Sequence, residues 1–281
     1  MTPAVLSNMN GATMPAFIFS RRETAGALGD IGVLLPLMAG LILVSGLSAF
    51  TVFLLTGVTY LAAGIYFRLP VPVQPLKAMA AIAIAGGAGA EELAAGGIIM
   101  GVLLLFLGMT GLASQLTRLF SPWTVKVVQL AVGLMLIKAS IPFINGGGSA
   151  VWKAAAVSGP TGSVALLLAG ASLILLLFFN QNRKVPASLA VLALGFTLSF
   201  ILAGPAIIGS LKVSGPVLPS ILIPGRESFI AALFLLVIPQ VPVTFGNSVV
   251  ATTDVAHSYF KKRAKRVTPK ALCASLGIAN T

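Results

Sequence analysis

The sequence predicts an all-α polytopic membrane protein, built as an inverted repeat of the seven-plus-seven type with a broken third helix. Three observations lead there. Of 281 residues, 57% are hydrophobic and 9% charged, at a mean hydropathy of +1.03, an apolar excess that no water-soluble core requires. The charges stand in short runs between apolar spans, as orientation signals do. Finally, the stretch Leu69-Pro70-Val71-Pro72-Val73-Gln74-Pro75-Leu76-Lys77 breaks the rhythm of spans with three prolines in six residues.

A formal charge of +12 would suggest nucleic acid in a soluble chain, but its placement between spans removes that reading, and no nucleic-acid partner is expected. One cysteine, Cys273, and one histidine, His257, leave no disulfide framework within the chain and none of the usual zinc sites. No metal or other cofactor is expected. The first apolar run is as long as a full span, so it reads as an uncleaved first helix and not a removable signal peptide.

Taken in order, residues 1–24 read as a cytoplasmic tail with Arg21, Arg22 and Glu23 at the interface. The first span is expected from Gly26 to Ser45, with Asp30 and Pro36 inside it, and the second from Ala49 to Phe67, closed by Arg68. The broken third segment follows, then a Gly-rich turn holding Glu91 and Glu92. The fourth span, Leu93 to Ala113, contains Gly97-x-x-x-Gly101 and Gly108-x-x-Gly111, spacings that suit close helix packing. A fifth span ends near Lys138 and Pro142. The sixth and seventh run from Ser163 to Phe179 and from Pro186 to Ile207, and the eighth starts at Arg226 and ends before Lys261-Lys-Arg-Ala-Lys-Arg266. A ninth apolar run begins at Thr268.

The third segment has its own logic. Each proline fixes its own φ and pushes the preceding residue out of the helical region, so Leu69 to Gln74 must be extended. Helix can begin at Pro75, which suits a first helical position. From there to Ala90 it would cover about 24 Å, short of the roughly 30 Å of hydrocarbon. Extended backbone at that depth survives only beside protein or a water-filled cavity. The half-helix presents unpaired N–H groups and a positive dipole end, and Lys77 adds a full charge, which favours an anion.

Threaded with the N-terminus inside, the spans put eleven basic residues on the cytoplasmic face against three outside, and this bias holds only if the third segment crosses. Seven spans precede the eighth, so a second unit would run in the opposite direction, the arithmetic of an inverted repeat. The implied division is 25–210 for the first unit and 211–281 for the start of a second.

Within the eighth span, Gln240, Thr244, Asn247 and Ala251 recur at helical spacing and share one face. They suit a polar site, and they equally suit interhelical hydrogen bonding. Pro239 and Pro242 remove donors and loosen that helix. Asp30 is an intramembrane acid able to carry a coupling proton or hold Lys77, and it also fits a helix-start carboxylate at the interface. Lys77 could instead snorkel to the surface. Gln74, an amide on extended backbone, is the candidate for direct substrate contact.

Three motifs are familiar together: Gly29-Asp-Ile-Gly-Val-Leu-Leu-Pro36, Val71-Pro-Val-Gln-Pro-Leu-Lys-Ala78 and Pro239-Gln-Val-Pro-Val-Thr-Phe-Gly-Asn-Ser248. They resemble the molybdate transporter family, itself similar to the sulfate permease and nucleobase-cation transporter group. The resemblance spans residues 25 to 260. It implies core and gate domains, a substrate held between the broken segments, and a multi-pass protein of the plasma membrane that takes up tetrahedral oxyanions by symport, as a homodimer. By position it points to Gln74, Pro75, Lys77, Gln240, Thr244 and Asn247 for substrate and Asp30 for coupling. The family pattern continues into a second Gly-rich broken segment, so the reading expects a chain truncated after about the ninth segment.

Two other transport readings stay open: another anion or a nucleobase on the same fold, and a passive anion channel. Enzymatic function is not expected, because the six acids are adjacent only at Glu91-Glu92 and no phosphate-binding Gly-x-x-x-x-Gly-Lys-Ser/Thr run exists.

Overall fold

The computed structural model describes residues 21–69, 71, 76–116, 122–144, 162–179, 187–203 and 222–281. Among them every regular element is helical. Helix α1 spans Arg21–Ser45 with Pro36 inside it, starting earlier than expected because nothing from Arg21 to Ala25 breaks a helix. α2, Ala49–Phe67, keeps its expected bounds: the Ser48 hydroxyl accepts the Thr51 N–H at 3.4 Å, and Arg68 ends the helix at φ 51°.

α3 is Lys77–Gly86, preceded by Leu76 at φ −58° and ψ 73°. The chain is therefore not one helix from Arg68 to Ala90. The half-helix is shorter than the sequence suggested, about 15 Å, because Gly87 adopts φ 70° and the Ala88 N–H returns to Ala83 O, closing it. The next helix, α4, is Ala90–Thr110. Glu91 and Glu92 thus lie in its first turn, where the dipole favours carboxylates, and not in a connecting turn. Gly111, read as a packing glycine, instead caps α4 at φ 77° with open space around it.

A single turn, α5 (Ala113–Leu116), and three helices follow: α6 (Pro122–Ile144), α7 (Gly162–Phe179) and α8 (Ala187–Ala203). The composite helix α9, Arg226–Arg266, alternates α-helical, π-helical and 3-10 winding. Its first π stretch, Leu233–Val237, closes with the Ile238 N–H on Leu233 O and lies where Pro239 would otherwise crowd the carbonyl four residues back. α10, Pro269–Asn280, begins where the Thr268 hydroxyl accepts the Ala271 N–H at 3.2 Å.

Among the described residues α2, α4 and α9 are long and apolar enough to cross a membrane. Leu61, Ile65, Leu167, Ile174 and Phe178 project outward more than 60% exposed, a surface suited to lipid and not to water. With the apolar α1, α3, α7 and α8, this is a multi-pass membrane protein.

The bundle closes around α3. Ala78 to Ala83 are all buried, and α3 contacts α1, α4, α6 and α9. Small residues permit this: a methyl group on Gly96 of α4 would sit 2.7 Å from Met79 Sδ, and one on Gly40 of α1 2.6 Å from Ile84. The α4 glycines Gly97, Gly101 and Gly108 make the close packing their spacing suited, and the partner is α10, with Gly108 against the Ala274 backbone.

Candidate functional site

The break in the third segment and the middle of α9 come together. At the start of α3 the Met79 N–H, one of the donors that a helix leaves without an internal partner, donates to Gln240 Oε1 at 2.7 Å. The Gln240 Nε2 donates in turn to Thr244 Oγ1 at 2.8 Å. Both side chains are 3% exposed. Because a backbone N–H can only donate, this pairing fixes which end of the Gln240 amide faces α3.

The next polar residue of the face behaves differently. Asn247 Oδ1 accepts from Gln129 Nε2 of α6 at 2.9 Å, and its backbone carbonyl accepts the Thr252 hydroxyl at 3.1 Å, five residues on. Thr244–Ala251 is π-helical, so an α-helical period does not carry from Gln240 to Ala251. The expected single polar strip is therefore divided. Gln240 bonds α3 and Thr244 bonds Gln240, whereas Asn247 faces α6 and a cleft.

That cleft, about 230 Å³, is lined by Leu69 and Val71 between α2 and α3 and, on α9, by Asn247, Ala251, Thr252, Val255, Ala256 and Phe260. Asn247 and Thr252 supply its polar side chains. Asn247 Oδ1 is engaged by Gln129. Lys77 is the first residue of α3 and half-buried. Asp30 is a backbone position on α1, which packs on α3; its side chain, and all of Gln74 and Pro75, lie outside the described residues.

Two site residues escaped the sequence reading. Gln129 is a lone amide between Val128 and Leu130, and an isolated polar residue in an apolar span was the available signal. Thr252 is reached from Asn247 only by a π-type step. Gly246 joins them indirectly: a methyl group there would meet Val125 of α6 at 2.6 Å, so its absence lets α6 approach and Gln129 reach Asn247.

The two ends of α9 are also tied. The Ser228 hydroxyl donates to Glu91 Oε2 at 3.0 Å, joining its start to the start of α4. Arg266 Nη1 donates to Tyr66 O at 3.0 Å, and its guanidinium lies 5.9 Å from the Tyr66 ring centre. This joins the basic end to the last turn of α2, where carbonyls favour a cation. Between the close of α2 and the start of α4 the chain therefore passes from one end of α9 to the other, by way of α3.

Comparison with known proteins agrees with the motifs. Residues 22–136 match the model of a family described as molybdate transporter of MFS superfamily. Molybdate transporter 2 of Arabidopsis thaliana is 29% identical over 92% of this chain and 62% of its own length, and molybdate transporter 1 of the same plant is 27% identical over the same shares. Molybdate transporter 1 of Chlamydomonas reinhardtii is 37% identical over 140 residues, 47% of this chain and 26% of that protein. The chain thus spans less than two thirds of the length of the Arabidopsis relatives. No solved structure matches it. The family match takes in two of the three motifs, Gly29–Pro36 and Val71–Ala78.

Proposed function

We propose that the protein is a secondary active transporter that moves a tetrahedral oxyanion, molybdate first and sulfate as a near-isosteric competitor, across the plasma membrane. The observation that supports this best is the interrupted third segment, held at the centre of the bundle with the start of its half-helix against α9. Helix-start amides, a neighbouring Lys77 and the Asn247 donor would hold a dianion by dipoles and at most one full charge, firmly enough to select it and loosely enough to release it. Gln74 and Pro75 belong to the same proposal by their place in the proline-rich stretch ahead of α3. Gln240 enters through the helix start it holds, and Thr244 through its bond to Gln240. Asp30 is the proposed coupling group. The relatives are transporters by name, and we read this protein likewise as no enzyme.

The basic end of α9 is proposed to be cytoplasmic, with the N-terminus, and the Glu91–Ser228 end external, following the distribution of Lys and Arg. The seven-plus-seven inverted repeat, divided into 25–210 and 211–281, is kept as a proposal; it differs from the superfamily named in the family description. A homodimer is part of the same reading.

Uptake of labelled molybdate by the full-length protein is expected to fall at least tenfold for both Gln74→Ala and Asn247→Ala; unchanged uptake in both would sink the site. Saturable accumulation against a gradient distinguishes a transporter from a passive anion channel. A second reading, transport of a nucleobase or other organic anion, is favoured by the apolar lining contributed by Leu69, Val71, Val255 and Phe260. Competition by excess uracil but not by excess sulfate would establish it.

A further inference from the structure

Gln240 is among the residues the resemblance assigns to substrate, an amide on a proline-loosened helix. Its surroundings assign it different work. Its oxygen is taken by the Met79 N–H and its nitrogen donates to Thr244, at 3% exposure, and it is absent from the cleft that Asn247 lines. The two bonded helices are 161 positions apart at these residues.

The partner on α3 makes this consequential. Met79 is the third residue of α3, so its N–H is among the donors without an intrahelical acceptor. The following amide, Ala80, is already closed on Leu76 O at 2.8 Å. A short helix of ten residues, preceded by the non-helical Leu76, has little cooperative reserve to hold its first turn. Held from α9, that turn has one orientation. Unheld, it frays, and its outward-facing donors lose their common aim. Thr244, bonded one turn on, fixes the rotamer of the Gln240 side chain and so the direction of the bond.

We propose that Gln240 is a positioning residue: it pins the first turn of α3 to α9 and thereby sets the aim of the helix-start donors, without itself contacting the anion. This rests on the oxyanion reading above for its functional consequence, but its structural half can be measured without any substrate. Backbone amide exchange, followed by mass spectrometry on full-length protein in lipid nanodiscs without molybdate, is compared for wild type, Gln240→Leu and Gln240→Glu. In Gln240→Leu, peptides covering Leu76 to Ala81 should exchange at least tenfold faster while those of α7 are unchanged. Gln240→Glu, whose carboxyl group is neutral at this burial, still accepts from the Met79 N–H through its carbonyl oxygen and donates its O–H to Thr244 Oγ1, and should exchange as wild type.

In proteoliposomes the Gln240→Leu KM for molybdate should rise about tenfold with maximal rate kept within twofold. Unchanged exchange in Gln240→Leu overturns the assignment. So does faster exchange with unchanged KM, which would leave the bond merely structural. If wild type shows no molybdate uptake at all, the transport reading fails while the exchange result still decides the pinning.

Discussion

Gly108 and Gly170 permit a matched test of how α4 meets α10. Both lie within helices, so changing either to alanine removes the same backbone freedom, a gain of about 1 kcal/mol in a helix interior. Their surroundings differ. A methyl group at Gly170 meets nothing within 4 Å, whereas one at Gly108 would lie 2.9 Å from Ala274 N and 3.2 Å from Ala274 Cα and Lys270 O. All three are backbone atoms, which cannot rotate aside as a side chain would. Forcing a methyl group into such a contact costs about 1–3 kcal/mol. Gly170→Ala should therefore be stabilised by about 1 kcal/mol, and Gly108→Ala should lie between neutral and about 2 kcal/mol destabilised, a gap of about 1–3 kcal/mol. Denaturant unfolding of both variants in one detergent, with equal slopes, measures that gap. If Gly108→Ala is stabilised as much as Gly170→Ala, the close backbone approach of α4 and α10 is wrong.

Other outcomes follow from single contacts. Thr268→Ala removes the hydroxyl that accepts the Ala271 N–H and should destabilise α10 by about 1 kcal/mol, with Thr268→Ser restoring most of it in thermal melts. Cys273 is fully buried, so a membrane-permeant maleimide should label native protein at least tenfold more slowly than unfolded protein; equal rates would contradict its burial. Gln129→Leu leaves Asn247 without its amide partner and should lower molybdate uptake towards the level of Asn247→Ala, whereas full uptake would separate α6 from the site. Arg266→Ala should loosen the end of α2, read as faster exchange in the peptide around Tyr66, with Arg266→Lys keeping part of the protection.

How much of this was legible in the sequence depends on how local the cause is. α2 was found to the residue because Ser48 starts it and Arg68, ahead of Pro70, ends it. The interruption of the third segment was legible because proline acts on its own and the preceding residue. The length of α3 was overestimated, since Gly87 makes a left-handed turn that ends the helix before Ala90. Winding was invisible in α9: a polar residue every third or fourth position describes an α-helix, and nothing in Thr244–Ala251 announces a wider turn. The Gln240–Met79 and Gln129–Asn247 pairs join distant helices, and periodicity indicates a face without naming its partner. The glycines of α4 likewise announced a close neighbour, but only the structure identifies it as α10.

The tethers on α9 have a mechanical consequence. Its first turn is fastened through Ser228 and its last through Arg266, while two π stretches and two prolines lie between. A beam clamped at both ends and softened along its middle cannot tilt as a rigid strut; load makes it bow. Any displacement of α9 would be greatest around Pro239 to Asn247, the part that touches α3 and α6, so small strains at either membrane surface are delivered to the centre of the molecule.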